Sequence, residues 1–115
     1  MEILNAANLL TALGHESRLA IFRLLTEAGE AGICAGDLGE SLSMPPATLS
    51  FHLSHLQQVG LIHGRREGRF IRYSAEYTIM DDLLAFLTHN CCQGTHCLPK
   101  TTGKNGTVKP HPAQI

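Results

Sequence analysis

Apolar residues recur at helical spacing through most of the chain and switch to strand spacing once, near its middle. Pro45 and Pro46 suit a helix start, where a missing N–H costs nothing, and Leu49, Leu53 and Leu56 follow at i, i+4 and i+7 on one buried stripe. The opposite face is small and polar: Ala47, Thr48, Ser50, Ser54 and Gln58, with Phe51 and His52 beside them. Short side chains let a helix approach phosphates and base edges closely, so this stretch reads as a recognition helix. Gly60 stops it at the C′ position, and Leu61 to Arg66 and Arg69 to Ser74 read as two short strands around a Glu67-Gly68 turn pair. Helix and hairpin together predict a winged helix. The alternative is an ordinary amphipathic helix followed by a hairpin with a solvated charged face.

The flanking pattern supplies the scaffold. Ile3, Leu4, Ala6, Ala7, Leu10 and Leu13 form a short helix that is apolar on more than one face, which implies a second buried surface. Ser17 or the preceding loop caps a helix through Ala28, with Leu19, Phe22 and Leu25 inward and Gly29 at its end. Cys34 to Leu42 reads as the first helix of a helix-turn-helix, with Leu38 and Leu42 on its inner face and Ser43 and Met44 as the turn. A last helix carries Ile79, Met80, Leu83, Leu84, Phe86 and Leu87. Beyond Cys97 the apolar period is lost among Pro, Gly, Thr, Lys and His, a composition unable to bury enough to fold alone. The expected organisation is a folded domain over 1–90 and a cysteine-containing segment with a disordered tail over 91–115.

At 115 residues the chain is one domain, small enough that dimerisation would add useful burial. A net charge of −1 is not that of a general nucleic-acid coat, so DNA affinity must come from local clustering. Arg65, Arg66, Arg69 and Arg72 supply it, placing four of nine basic residues at the hairpin, within reach of phosphates or a minor groove. Glu2 stands where a signal peptide would be basic, and no stretch is long and apolar enough to span a membrane. The expectation is a cytoplasmic protein whose four cysteines serve as thiols, metal ligands or redox sensors.

From Gly14 to Tyr73 the chain resembles the ArsR (ArsR/SmtB) family of winged-helix, metal-responsive repressors. The resemblance rests on His15-Glu16-Ser17-Arg18-Leu19 opening a helix, Asp37-Leu38 in the next, Thr48-Leu49-Ser50-Phe51-His52-Leu53 with Leu56 in the recognition helix, and Gly60-Leu61-Ile62 leading to Arg65-Arg66-Glu67-Gly68-Arg69 and Tyr73. It implies a mainly α fold with a β-hairpin wing, dimerising through the first and last helices. The expected interface is Leu4, Leu10, Met80, Leu83, Leu84 and Leu87, and the expected DNA-binding set is Ala47, Thr48, Ser50, Phe51, His52, Arg65, Arg66 and Arg69.

Cys91, Cys92 and Cys97 follow the last helix directly, and Gly94 between them lets the backbone turn so that three thiols converge. Three thiolates match the pyramidal coordination of trivalent arsenic or antimony. A Cys3His zinc site using His96 or His89 is the nearest competitor, and a redox switch is another. The family's familiar Cys-x-Cys pair before the recognition helix is broken here, because Gly36 stands where a second thiol would join Cys34. Cys34 is therefore expected to be a small buried hydrophobe. The family's last-helix zinc pattern is absent too, as Asp81 is followed by Asp82 and Leu83. The remaining triad resembles the alternative arsenic site of some members. The expected function is a non-enzymatic homodimeric repressor that releases double-stranded operator DNA on binding As(III), with Sb(III) as an alternative inducer and no organic cofactor. Zinc, cadmium or thiol-redox response on the same fold is the first alternative. A thiol-dependent reductase is more remote, since no phosphate loop or thioredoxin-like C-x-x-C accompanies the cysteines.

Overall fold

The computed structural model describes residues 1–90. Helices α1 (Ile3–Leu13) and α2 (Glu16–Ala28) are followed by a single 3-10 turn, Gly29–Ala31, and a short strand β1 (Ile33–Cys34). Then come α3 (Ala35–Leu42), α4 (Pro46–Gln58), the hairpin β2 (Ile62–Glu67) and β3 (Phe70–Ala75), and α5 (Tyr77–Leu87). The fold is mainly α-helical with a small antiparallel wing, as the pattern predicts.

Local chemistry sets the element ends. His15 caps α2, its Nδ1 accepting from the Ser17 N–H at 3.1 Å, so the cap comes from the loop and not from Ser17. Ser43 ends α3 in the left-handed region at φ 52°, and the Met44 N–H reaches back to the Gly39 carbonyl at 2.9 Å. This Schellman closure is the turn of the helix-turn-helix. Pro46 opens α4 at its first helical position.

The sheet is larger than the hairpin alone. Its order is β1-β3-β2, with Ile33 opposite Tyr73 and Cys34 opposite Arg72, which makes β3 the central strand. Cys34 thus lies on a strand and at the N-cap of α3, and it is only half-buried, not the buried hydrophobe expected. The hairpin register pairs Glu67 with Phe70, so the turn is Gly68-Arg69, one residue later than the sequence pattern placed it. Gly68, at φ 64°, supplies the positive φ that a two-residue hairpin turn requires at its first position.

The core joins Ile21, Phe22 and Leu25 of α2, Leu38, Leu49, Leu53, Leu56, Leu61, Ile62, Tyr73 and Leu83. Leu19, expected inward, is largely exposed, and Ile21 takes the buried position. Leu83, expected at a dimer interface, is 5% exposed and belongs to this core, because the buried stripe of α5 passes through it. Among the described residues no helix is long and apolar enough to cross a membrane.

Candidate nucleic-acid interface

On α4 the buried positions are Leu49, His52, Leu53 and Leu56. That spacing turns Ala47, Thr48, Ser50, Phe51, Ser54, Gln57 and Gln58 outward as one exposed face, and all of these but Gln57 are outward residues expected from the sequence. His52 corrects the expectation. It is 6% exposed, occupying the i+3 position of the stripe that begins at Leu49. It has no surface with which to meet a base.

His52 meets Arg18 instead. The Arg18 guanidinium, itself 8% exposed, donates through Nε to the Ala12 carbonyl at 2.7 Å and lies 3.5 Å from His52 Nδ1 through Nη1. Arginine has no acceptor, so Nδ1 must be the acceptor and His52 the neutral Nε2–H tautomer. The His15 ring lies 4.7 Å from that of His52, and Phe51 stands edge-on to it at 5.5 Å. Burial first, then electrostatic repulsion of its charged form by His15, Arg18 and His55, holds the His52 pKa below its ordinary 6.5. The unfolded chain therefore binds a proton that the folded chain refuses. Stability is full above pH 6.5 and falls as the pH drops from there toward the lowered folded value. In urea unfolding compared at about pH 7.5 and about pH 5.5, the wild type should lose more stability than His52→Gln, which stays neutral and still offers Arg18 an acceptor. Equal losses would show that His52 does not carry this dependence.

The wing arginines divide into two kinds. Arg72 Nε donates to Glu67 at 3.0 Å, and its Nη1 lies 3.4 Å from both the Ala31 and Gly32 carbonyls. This ties the wing to the segment before α3. Glu67 also takes Arg65 at 3.7 Å, and the Arg72 bond foremost keeps its carboxyl below the usual carboxylate value. Arg66 and Arg69 are exposed and form no ion pair among the described residues. In the register Arg66 is opposite Ile71, on the alternate face to Arg65 and Arg72. Ile71 and Tyr73 border the same groove as Pro46, Leu49 and Ser50, so Arg66 shares its strand face with residues that look toward the start of α4. Arg66→Ala should accordingly weaken operator and random DNA alike, lowering the salt slope by about one for each phosphate contact removed, while Arg65→Ala changes it less. Fluorescence anisotropy over a salt series checks this, and an unchanged slope in Arg66→Ala would take the wing off the backbone.

Other expected residues fall as follows. Leu4, Leu10, Leu84 and Leu87 are exposed on α1 and α5, and Met80 is half-buried. Cys91, Cys92 and Cys97, together with His96 and the tail, lie outside the described residues. Among the described residues no three of His, Cys, Asp and Glu are grouped to hold a metal ion.

A short-chained, outward helix face beside a cationic hairpin defines a winged helix-turn-helix DNA-binding protein. Residues 13–65 match a family model described as a helix-turn-helix domain. The transcriptional regulator YgaV of Escherichia coli K12 is 32% identical over 87 residues, covering 76% of this chain and 86% of its own. The arsenical resistance operon repressor of the same organism is 36% identical over 73 residues, covering 64% and 61%. The structure of an ArsR-like transcriptional regulator from Rhodococcus sp. RHA1 superposes with a TM-score of 0.67 at 30% identity, covering 79% of this chain and 83% of that one. The chain belongs to the ArsR/SmtB family of winged helix-turn-helix transcriptional regulators. It is a DNA-binding regulator and not an enzyme.

Proposed function

We propose that this regulator is a homodimeric repressor that holds a pseudo-palindromic operator when ligand-free and leaves it when As(III), or Sb(III), is bound by Cys91, Cys92 and Cys97. The observation that carries the reading is the placement of three thiols directly after α5, a helix that leaves Leu84 and Leu87 exposed. Helix α1 packs against α5 and exposes Ile3, Leu4 and Leu10, so both ends of the folded region offer apolar surface to a second copy. Soft thiolates select a thiophilic ion, and three of them complete the coordination of As(III), which keeps its lone pair in the fourth direction. Cys34, half-buried on β1, has no second thiol at Gly36 to chelate with. Similarity to the arsenical resistance operon repressor supports the same class of inducer.

For release, the ligand must bind the DNA-free dimer more tightly than the DNA-bound one. Drawing the cysteine segment onto the end of α5 would alter the dimer contact and with it the spacing of two recognition helices, which must fit grooves about 34–36 Å apart. The test is a titration of the reduced protein on its operator with As(III), Sb(III), Zn(II), Cd(II) and peroxide in parallel. Release by As(III) and Sb(III) ahead of the others is the expected result. Release by Zn(II) or Cd(II) alone would move the function to a Cys3His site with His96 or His89, and release by peroxide alone to a thiol switch.

A further inference from the structure

Helix α4 carries no Arg, Lys, Asp or Glu anywhere along its length. The commonest specific contact in a major groove, a bidentate Arg or Lys on guanine, is therefore not available from its face, nor is a carboxylate to accept from cytosine. What the face does carry is one large apolar group. Phe51 is 66% exposed, with Ala47 and Thr48 preceding it and Ser54 following it at helical spacing, all small and all exposed. Its ring stands edge-on at 66° and 5.5 Å to the His52 ring, which Arg18 and His15 contact in turn. With only two side-chain torsions to fix, an aromatic ring gives up little freedom on meeting a partner.

We infer that Phe51 is a thymine reader: its ring packs on the 5-methyl group of thymine in the major groove, and α4 selects its half-site through thymine methyls and not through guanine. This rests on α4 being the recognition helix and names the base it recognises. The short neighbours matter because they let the helix approach until the ring touches the groove floor, where the methyl is the sole apolar group the base pairs present. Thr48 and Ser50 then add hydrogen bonds that tolerate several bases, and Gln58, at the last turn of the helix, can reach an adenine edge, which leaves the methyl contact as the apolar discrimination of the face.

The experiment begins by enriching duplexes from a randomised library with the full-length reduced protein. Each thymine of the enriched site is then replaced singly by deoxyuridine, which removes one methyl and keeps every hydrogen-bonding group. Wild-type protein should lose about fourfold in affinity at each contacted thymine, the effect of no longer burying one methyl, and be indifferent at the rest. Phe51→Ala, at an exposed position, should fold normally by circular dichroism, bind the thymine duplex more weakly, and show no further loss with deoxyuridine at those positions. Phe51→Leu should keep part of the methyl preference. Indifference of the wild type to every deoxyuridine, or undiminished sensitivity in Phe51→Ala, overturns the inference. Failure to enrich any duplex would remove the reading role of α4 itself, and the inference with it.

Discussion

Serine at Cys91, at Cys92 or at Cys97 should each leave operator binding at its wild-type strength while greatly weakening its release by As(III). A hydroxyl keeps the shape of the thiol but is a hard, weakly acidic donor. Removing one sulfur from three leaves a soft ion with two bonds and a vacant position. The expected shift in the As(III) concentration for half-release is about a hundredfold or more, because a lost ligand costs at least as much as the 10–100-fold typical of an outer-shell partner. Cys34→Ser should respond as the wild type, since its half-buried side chain lies on β1, apart from the cysteine segment in sequence. An anisotropy titration with As(III) against preformed complex measures all four. Retained release in the triple serine variant, or its loss in Cys34→Ser alone, would refute the arsenic assignment. His96→Ala separates the ions, because a three-thiolate site tolerates its loss and a Cys3His zinc site does not.

Glutamate at Leu84 or at Leu4 should yield a folded monomer whose operator affinity is lower by about two to four orders of magnitude, the avidity that one half-site cannot supply. Both residues are largely exposed in the single chain, so the substitution leaves the protomer core untouched. In a dimer interface the new carboxylate would be buried without a partner, which costs several kcal/mol. Sedimentation gives the assembly state and circular dichroism the helix content. Leu83→Glu provides the contrast: one position away but inside the core, it should lose helical signal altogether. An unchanged dimer in Leu84→Glu would place the interface elsewhere.

The helices were legible in the sequence because each apolar stripe is regular, and the hairpin because turn residues interrupt two β-prone runs. What periodicity missed were the two polar residues that take core positions. The buried set of α2 is Arg18, Ile21, Phe22 and Leu25, and that of α4 is Leu49, His52, Leu53 and Leu56. Both are i, i+3, i+4, i+7 stripes with one polar member. Scored by hydrophobicity, Arg18 and His52 fall outside the stripe, and such a score turns Leu19 inward and His52 outward. The signal was present nonetheless, since one donor-only and one acceptor-capable residue stood on two buried stripes, and each solves the other's burial. Strand β1 was illegible for a different reason. Two residues carry no period, and only pairing with β3 makes them a strand. The turn slipped by one because Gly68 can open a two-residue loop as readily as close one. The outward residues of α4 followed from the stripe, whereas the division of the arginines did not, since it depends on which face of β2 each occupies.

Arg18 touches three helices at once: it is part of α2, it holds the Ala12 carbonyl near the end of α1, and it meets α4 through His52. The helix with the outward polar face and the helix that exposes Ile3, Leu4 and Leu10 are thereby joined through one buried side chain. A turn of α1 would therefore be passed to α4 through Arg18. The effector proposed above would then have no need to melt or mask the reading surface. In the homodimer proposed above, it would have only to tilt one protomer against the other until two intact heads no longer fall on the same side of the duplex.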